Sequence, residues 1–345
     1  MVKPGVLVLN FGGPRGPDEL VPFLTSLFDD VLPGPRFVKA LAAPALAMSR
    51  ARTVRANYEL IGWSPVVATS EAQAAGIRER LADVPVATGM LFTSPSVSDG
   101  VKALREAGAD AIVALALFPQ FSLSTTGAAF DRVSDAAGPL PVHYIPHWHD
   151  APGYIKALGR TIQDAAATLP GEGPIQLLFS PHGLPLSYVN RGDPYPDHVR
   201  ETVRLAVEAI GWTDPVAIGW QSRVGPMKWL EPSTLSEVDR IARGGHKRLL
   251  IVPVAFVGEH IETLHELDIE VTEHAHKAGI AHVGRARAVG TDPDFLDALS
   301  NLARKAIGRF SVASCVKCNS ETPKYAGKPK CPSCAFETPK FARAR

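Results

Sequence analysis

Ile175-Gln176-Leu177-Leu178-Phe179-Ser180-Pro181-His182-Gly183-Leu184-Pro185-Leu186-Ser187 decides what kind of sheet this chain builds. Its first five residues form an apolar run with the length of a buried strand in a parallel sheet. Gly183 and two prolines stop the strand at once. His182 is left on the loop at the strand's C-terminal end, where open α/β sheets bind ligands. Imidazole is also the side chain that exchanges a proton near neutral pH. Taken alone, the same residues describe an ordinary turn around a loop histidine.

The pattern extends outward in both directions. Downstream, Asp193-Pro194-Tyr195-Pro196 opens a helix with Val199, Val203, Ala206, Val207 and Ile210 on one face. Further strands are expected over Val216 to Trp220, Arg248 to Phe256 and Ile280 to Ala286. Thr234 with Glu237 reads as a capping box, and Gly244 ends that helix. Upstream, strands are expected over Gly5 to Asn10, Val84 to Phe92, Asp110 to Phe118 and Pro141 to Pro146. Leu20, Phe23, Leu24, Leu27 and Phe28 follow the first of them at helical spacing, and Ser98 to Gly108 reads as another helix. The same strand–loop–helix plan therefore occurs twice, with little identity of letters. The expected fold is α/β, two Rossmann-like lobes whose parallel sheets face a central cleft, plus a small C-terminal metal-binding tail. The lobes are expected over residues 1–150 and 151–290, a closing helix over 291–310 and the tail over 311–345.

Composition narrows the function classes. The chain has 345 residues, 46% hydrophobic and 21% charged, with a formal net charge of +1. That balance gives no electrostatic case for nucleic acid. No apolar run approaches the roughly 18 residues of a membrane span. Met1-Val2-Lys3-Pro4 enters a strand at once, without room for a signal peptide, so a cytoplasmic location is expected. Residues 37–48 are rich in Ala, Leu and Pro, with Phe37, Val38, Leu41, Leu46 and Met48, and Lys39, Arg50, Arg52 and Arg55 lie among or just after them. This segment suits either a peripheral membrane contact or a packed helix. Nothing in the sequence reports an oligomeric state.

Three further patterns carry chemistry. Pro119-Gln120-Phe121-Ser122-Leu123-Ser124-Thr125-Thr126-Gly127 is dense in hydroxyls ahead of a helix. Its amides suit an anion such as a carboxylate, and simple capping explains it equally well. His147 and His149 would share a face only in extended chain, so they make a poor metal pair by themselves. Glu259 to Glu270 reads as a helix after the last inner strand, with Glu262, Glu266 and Glu270 four apart along one face. That row is either a solvated face or a carboxylate path for a divalent cation and protons. With lobes that face each other, Glu262 opposes His182 across the cleft.

Four stretches in this order resemble the ferrochelatase family, which inserts Fe2+ into a porphyrin. They are Ser180-Pro181-His182-Gly183-Leu184-Pro185, Asn190-Arg191-Gly192-Asp193-Pro194-Tyr195-Pro196, Trp220-Gln221-Ser222-Arg223-Val224-Gly225-Pro226 and His260-Ile261-Glu262-Thr263-Leu264. The resemblance covers about Val6 to Ala298. It implies that His182 and Glu262 are the catalytic pair, with Glu266 and Glu270 continuing the path for substrate Fe2+ or protons. It also implies that Phe11, Trp229 and Phe256 line the porphyrin cleft, with Ser122 and Thr125 from the hydroxyl loop as further porphyrin contacts. Some bacterial relatives that use coproporphyrin have a tyrosine where Phe11 stands, which favours protoporphyrin IX and leaves coproporphyrin III open. Animal relatives have an arginine at about Leu91, a tyrosine near Phe92 and a cluster-binding cysteine at Leu123, so the animal ligand set is excluded. Another tetrapyrrole chelatase, such as a cobalt one, and a non-catalytic porphyrin- or haem-binding protein are the rival classes.

All four cysteines are at or beyond Cys315: Cys315-Val316-Lys317-Cys318 and Cys331-Pro332-Ser333-Cys334. Two C-x2-C knuckles supply four thiolates at ribbon-like spacing, fit for Zn2+ or a [2Fe–2S] cluster.

Overall fold

The computed structural model describes residues 2–32, 34–223 and 225–310. The four cysteines, and with them the Zn2+ or [2Fe–2S] expectation, lie outside the described residues.

The first half builds strands β1 (Pro4–Asn10), β2 (Val86–Met90), β3 (Ala111–Ala116) and β4 (Val142–Ile145) into one sheet in the order β2-β1-β3-β4. The second half builds β5 (Gln176–Phe179), β6 (Val216–Ile218), β7 (Arg248–Val252) and β8 (His282–Arg285) in the order β6-β5-β7-β8. The two orders are the same, so the repeated plan is a repeated topology. Every pairing is parallel, with Val6 opposite Val86 and Val113, and Leu177 opposite Val216 and Leu250. Parallel neighbours need crossovers, and helices covering both faces leave the inner strands apolar throughout, as in Ala111-Ile112-Val113-Ala114-Leu115-Ala116.

The helices are α1 (Pro17–Val31), α2 (Arg36–Leu60), α3 (Val66–Leu81), α4 (Val97–Glu106), α5 (Ala128–Ala137), α6 (Pro152–Thr168), α7 (Leu186–Val189), α8 (Tyr195–Ala209), α9 (Thr234–Arg243), α10 (Thr272–Lys277) and α11 (Pro293–Phe310). One apolar core runs through both sheets, joining Val6, Val8 and Leu115 to Leu177, Leu250 and Val252 by way of Tyr154, Phe295 and Leu299. α11 returns from the end of the second half to pack on α3 in the first. Gly76 permits this, since a Cβ there would stand 2.5 Å from Leu296 Cδ1. No helix among the described residues is long and apolar enough to cross a membrane.

Three local expectations need correction. The strand expected to reach Phe256 stops at Val252, because Val254 and Phe256 turn back to hydrogen-bond Val252 and Pro253 carbonyls. The α9 cap is Ser233, whose hydroxyl accepts the Ser236 amide; the Thr234 hydroxyl is buried, donating to the Gly219 carbonyl at 2.9 Å. The acidic stretch is not α-helical over Glu262–Val271 but π-helical, with the wider i→i+5 ring. There the Thr272 hydroxyl donates to the Leu267 carbonyl, five residues back.

Candidate active site

β5 delivers His182. Beyond Phe179, the Ser180 hydroxyl lies 3.0 Å from Gln221 Oε1 and 2.8 Å from Thr234 Oγ1, its single proton shared between the two. The loops after β5 and β6 then zip together: the Gly183 amide donates to the Gln221 carbonyl at 2.8 Å, and the Gln221 amide to the Pro181 carbonyl at 3.0 Å. A Cβ at residue 183 would stand 2.6 Å from the Gln221 carbonyl, so only glycine allows this approach. Trp229 closes over the same glycine. The Tyr195 hydroxyl donates to the His182 carbonyl at 3.0 Å, fixing the loop from the start of α8.

β7, next to β5 in the sheet, delivers Glu262. His182 Nδ1 lies 3.1 Å from Glu262 Oε1, a close charge contact. The two groups are therefore side by side on one sheet's edge, not opposed across the cleft as the sequence suggested. Their side chains keep 38% and 32% of their surface accessible. Burial pulls the His182 imidazole down, but the Glu262 carboxylate, helped by Glu266, more than reverses this and holds it above its ordinary value. For Glu262 burial acts upward, and the two histidines overcome it, drawing the carboxyl down to about 2.

His260 completes the charge pattern. Its Nδ1 accepts the Glu262 amide at 3.0 Å, so a neutral ring carries its proton on Nε2. Burial lowers its basicity, against the pull of Glu262 and Glu259. Phe256 packs edge-on to both rings, 6.5 Å from His182 and 4.2 Å from His260 between centroids.

Glu266 is held by backbone and hydroxyl together. It accepts the Ser222 amide at 2.7 Å, the Ser222 hydroxyl and Gln221 Nε2 at 3.3 Å. Ser222 takes φ of +64°, a strained value for a residue with a Cβ, and thereby aims both donors at one carboxylate. Burial raises the Glu266 carboxyl, and the Glu262 charge adds to this. Glu270 is separate from this group: it is exposed, with its carboxylate 3.6 Å from His265 Nδ1. The three-member row thus becomes a pair beside His182 and one outlying member.

The first lobe supplies the facing wall. Phe11 packs on Phe92 at 4.5 Å and joins the apolar cluster that also receives Ile261, the neighbour of Glu262. Tyr58 of α2 is buried in that cluster, and burial with the Glu262 charge pushes its phenol up. Leu123–Gly127 is a second π-helical turn. The anion at this turn is the chain's own Asp193, which accepts the Ser122 hydroxyl at 2.9 Å and the Leu123 amide at 2.8 Å. Ser122 is buried there, and Thr125 is half-buried. Sequence reasoning did not single out Asp193, Tyr195, Gln221, Ser222 or His260 for roles. All sit in the stretches that carry the family resemblance, but their parts depend on backbone geometry that spacing does not reveal.

The Ferrochelatase family model matches residues 3–307. The chain belongs to the ferrochelatase family. A protein named Ferrochelatase from Geotalea uraniireducens is 38% identical over 314 residues, covering 88% of this chain and 98% of its own. Another from Geobacter metallireducens is 40% identical over 314 residues, with the same coverage. Among solved structures, SirB from Bacillus subtilis with Fe3+ superposes with a TM-score of 0.54 at 15% identity, covering 90% of this chain and 98% of that one. At that identity it is the fold that the two share.

Proposed function

We propose that this chain inserts Fe2+ into a porphyrin in haem biosynthesis, with His182 as the base and Glu262 as its metal and proton partner. The observation that carries the reading is the 3.1 Å contact between His182 Nδ1 and Glu262 Oε1, on the segments that follow neighbouring parallel strands. A free-base porphyrin must lose its pyrrole N–H protons as the cation enters. A raised imidazole is a stronger acceptor for them, and the adjacent carboxylate stabilises the imidazolium that forms. Glu266, held toward its neutral form, is suited to pass protons onward. A mixed imidazole and carboxylate donor set binds substrate Fe2+ without the softness that would retain it. In this reading Glu270, on the surface beside His265, serves as an outer station of the same path.

Phe256, Trp229 and Phe11 are the aromatic walls that would bend the macrocycle and expose its lone pairs. Because the Ser122 hydroxyl is committed to Asp193, the carboxylate contact in that turn falls to Thr125. The hydrocarbon ring of Phe11 supports protoporphyrin IX over coproporphyrin III. Residues 1–150 and 151–290 act as two lobes around one site, with the segment 291–310 closing them. The reading further places the protein in the cytoplasm, touching a membrane surface through α2. There Phe37, Leu41 and Met48 are 73%, 78% and 69% exposed beside Arg36 and Lys39. The donor set of Cys315, Cys318, Cys331 and Cys334 supports a Zn2+ or [2Fe–2S] site, and a brown colour in purified protein selects the cluster.

Anaerobic turnover with Fe2+ on protoporphyrin IX and coproporphyrin III, side by side, tests the function. Metalloporphyrin formation by the wild type, and formation slowed by at least about a hundredfold in His182→Ala, are expected. Unchanged chelation in that variant removes His182 from the mechanism, and binding of porphyrin without turnover by the wild type makes the protein a carrier.

A further inference from the structure

We propose that His147, His149 and His198 form a binding site for one borderline divalent cation of the Zn2+ class, shared between the two lobes. The site lies outside the His182–Glu262 cluster and uses none of its residues.

His147 and His149 come from the loop that follows β4. Trp148, between them, is buried, and its indole N–H donates to the Ala116 carbonyl at 2.8 Å. With Trp148 turned inward, the two flanking imidazoles come together, their centroids 5.0 Å apart. His198 comes from the first turn of α8 in the other lobe. One nitrogen from each ring lies within 4.8 Å of the others, so that reorienting the rings brings all three onto one ion. His149 and His198 are only 6% and 8% exposed. His149 Nδ1 is fully buried with no protein group in hydrogen-bonding reach, an orphan that interiors rarely keep.

The surroundings suit a cation. The carboxylates whose fields reach the His149 ring belong to Asp150 and Glu201. Burial and the mutual proximity of the rings lower His149 to about 4 and His198 to about 3, so both are uncharged at neutral pH, as metal ligands must be. Three imidazoles are a donor set for Zn2+, Ni2+, Cu2+ or Fe2+, not for Mg2+ or Ca2+.

Two adjustments accompany binding. His198 Nδ1 accepts the Phe121 amide at 3.2 Å, so the neutral ring holds its proton on Nε2. Ligation through Nε2 moves that proton to Nδ1, and the ring turns away from the Phe121 amide; no proton is released. The rings of His149 and His198 are stacked at 3.9 Å with planes 10° apart, and parallel rings cannot both aim an in-plane lone pair at one ion. Binding therefore breaks that stack, whereas the His147 ring is already tilted 46° and 50° to the other two.

The test counts metal. Full-length wild type, His149→Gln and His198→Gln are equilibrated with Zn2+, freed of unbound ion and assayed by mass spectrometry for zinc per chain. The C-terminal cysteines and the His182 site are present in all three, so their zinc cancels in the difference. The wild type is expected to hold one equivalent more than either variant, and equal content overturns the proposal. A second measurement needs no variant: anomalous scattering at the zinc edge from wild-type crystals soaked in Zn2+. A peak bonded by all three imidazoles, with His149 and His198 no longer parallel, is the expected result. Scattering only at other sites overturns it.

Discussion

His182 owes its basicity to neighbours more than to its own position. Burial alone would weaken the imidazole, and the carboxylates of Glu262 and Glu266 reverse the sign. Two outcomes follow at this scale. With His182 as the proposed base, His182→Ala should lower kcat for chelation by roughly 10²–10⁴ with the melting temperature little changed. The pH profile supplies the second. Only neutral His182 accepts a proton, so kcat/KM falls as pH drops through its raised value, above 6.5. Glu266→Gln removes one of the raising charges, and the acid limb of kcat/KM should move to lower pH. A limb that stays put detaches Glu266 from the base. The place of His182 on a loop after a buried strand was legible from local pattern, whereas its pairing with Glu262 was expected only from the family resemblance. Ser222, which orients Glu266, was not legible: its contribution rests on a positive φ, and nothing in the letters Gln221-Ser222-Arg223 announces that.

The segment after β7 shows why spacing misleads at the scale of an element. Glutamates four apart fit an α-helical stripe, but the chain takes a π-helical course over Glu262–Val271. Tertiary anchors decide this, not helix propensity. At its start, Glu259 accepts the Ala288 amide at 2.8 Å and the Thr263 hydroxyl at 2.6 Å, and it pairs with Arg285 of β8 at 3.1 Å. Ala288 and Arg285 are more than 25 residues away in sequence, so the letters show only an acid near a helix start and its local hydroxyl partner Thr263. Burial raises Glu259, and Arg285 with the hydrogen bonds more than offsets this, leaving it below its ordinary 4.5. A carboxyl lowered on folding stabilises fully above its unfolded value, and that stability is lost as pH falls through the folded one. Glu259→Gln should therefore cost about 1–3 kcal/mol at pH 7. The cost should shrink below pH 4.5, checked by denaturant unfolding at both pH values. A pH-independent difference would mean that the charge of Glu259 is not what matters.

At the scale of the whole molecule, the repeated β2-β1-β3-β4 and β6-β5-β7-β8 orders were legible as two runs of strand, loop and helix. What the letters did not disclose is that the two runs share a core. Burial partners such as Leu115 and Leu250 belong to different halves, and the contact between them is made by α6 and α11. With one apolar cluster in common, the lobes should melt together, as one calorimetric transition rather than two. One close point of that union is where α11 crosses α3. A Cβ at Gly76 meets Leu296 Cδ1 at 2.5 Å, too close for either helix to ignore. Gly76→Ala improves helix propensity by up to about 1 kcal/mol, yet overpacking here costs about 1–3 kcal/mol, so the net effect should be destabilising. Leu296→Ala alone leaves a cavity and costs about 2–5 kcal/mol. Combined, the new methyl enters the space the leucine left, so the double variant should be more stable than the sum of the two losses, by about 0.5–3 kcal/mol of coupling. Simple additivity in denaturant unfolding would show that α11 does not press on α3 at Gly76, and the closing helix would then hold the lobes by some other contact.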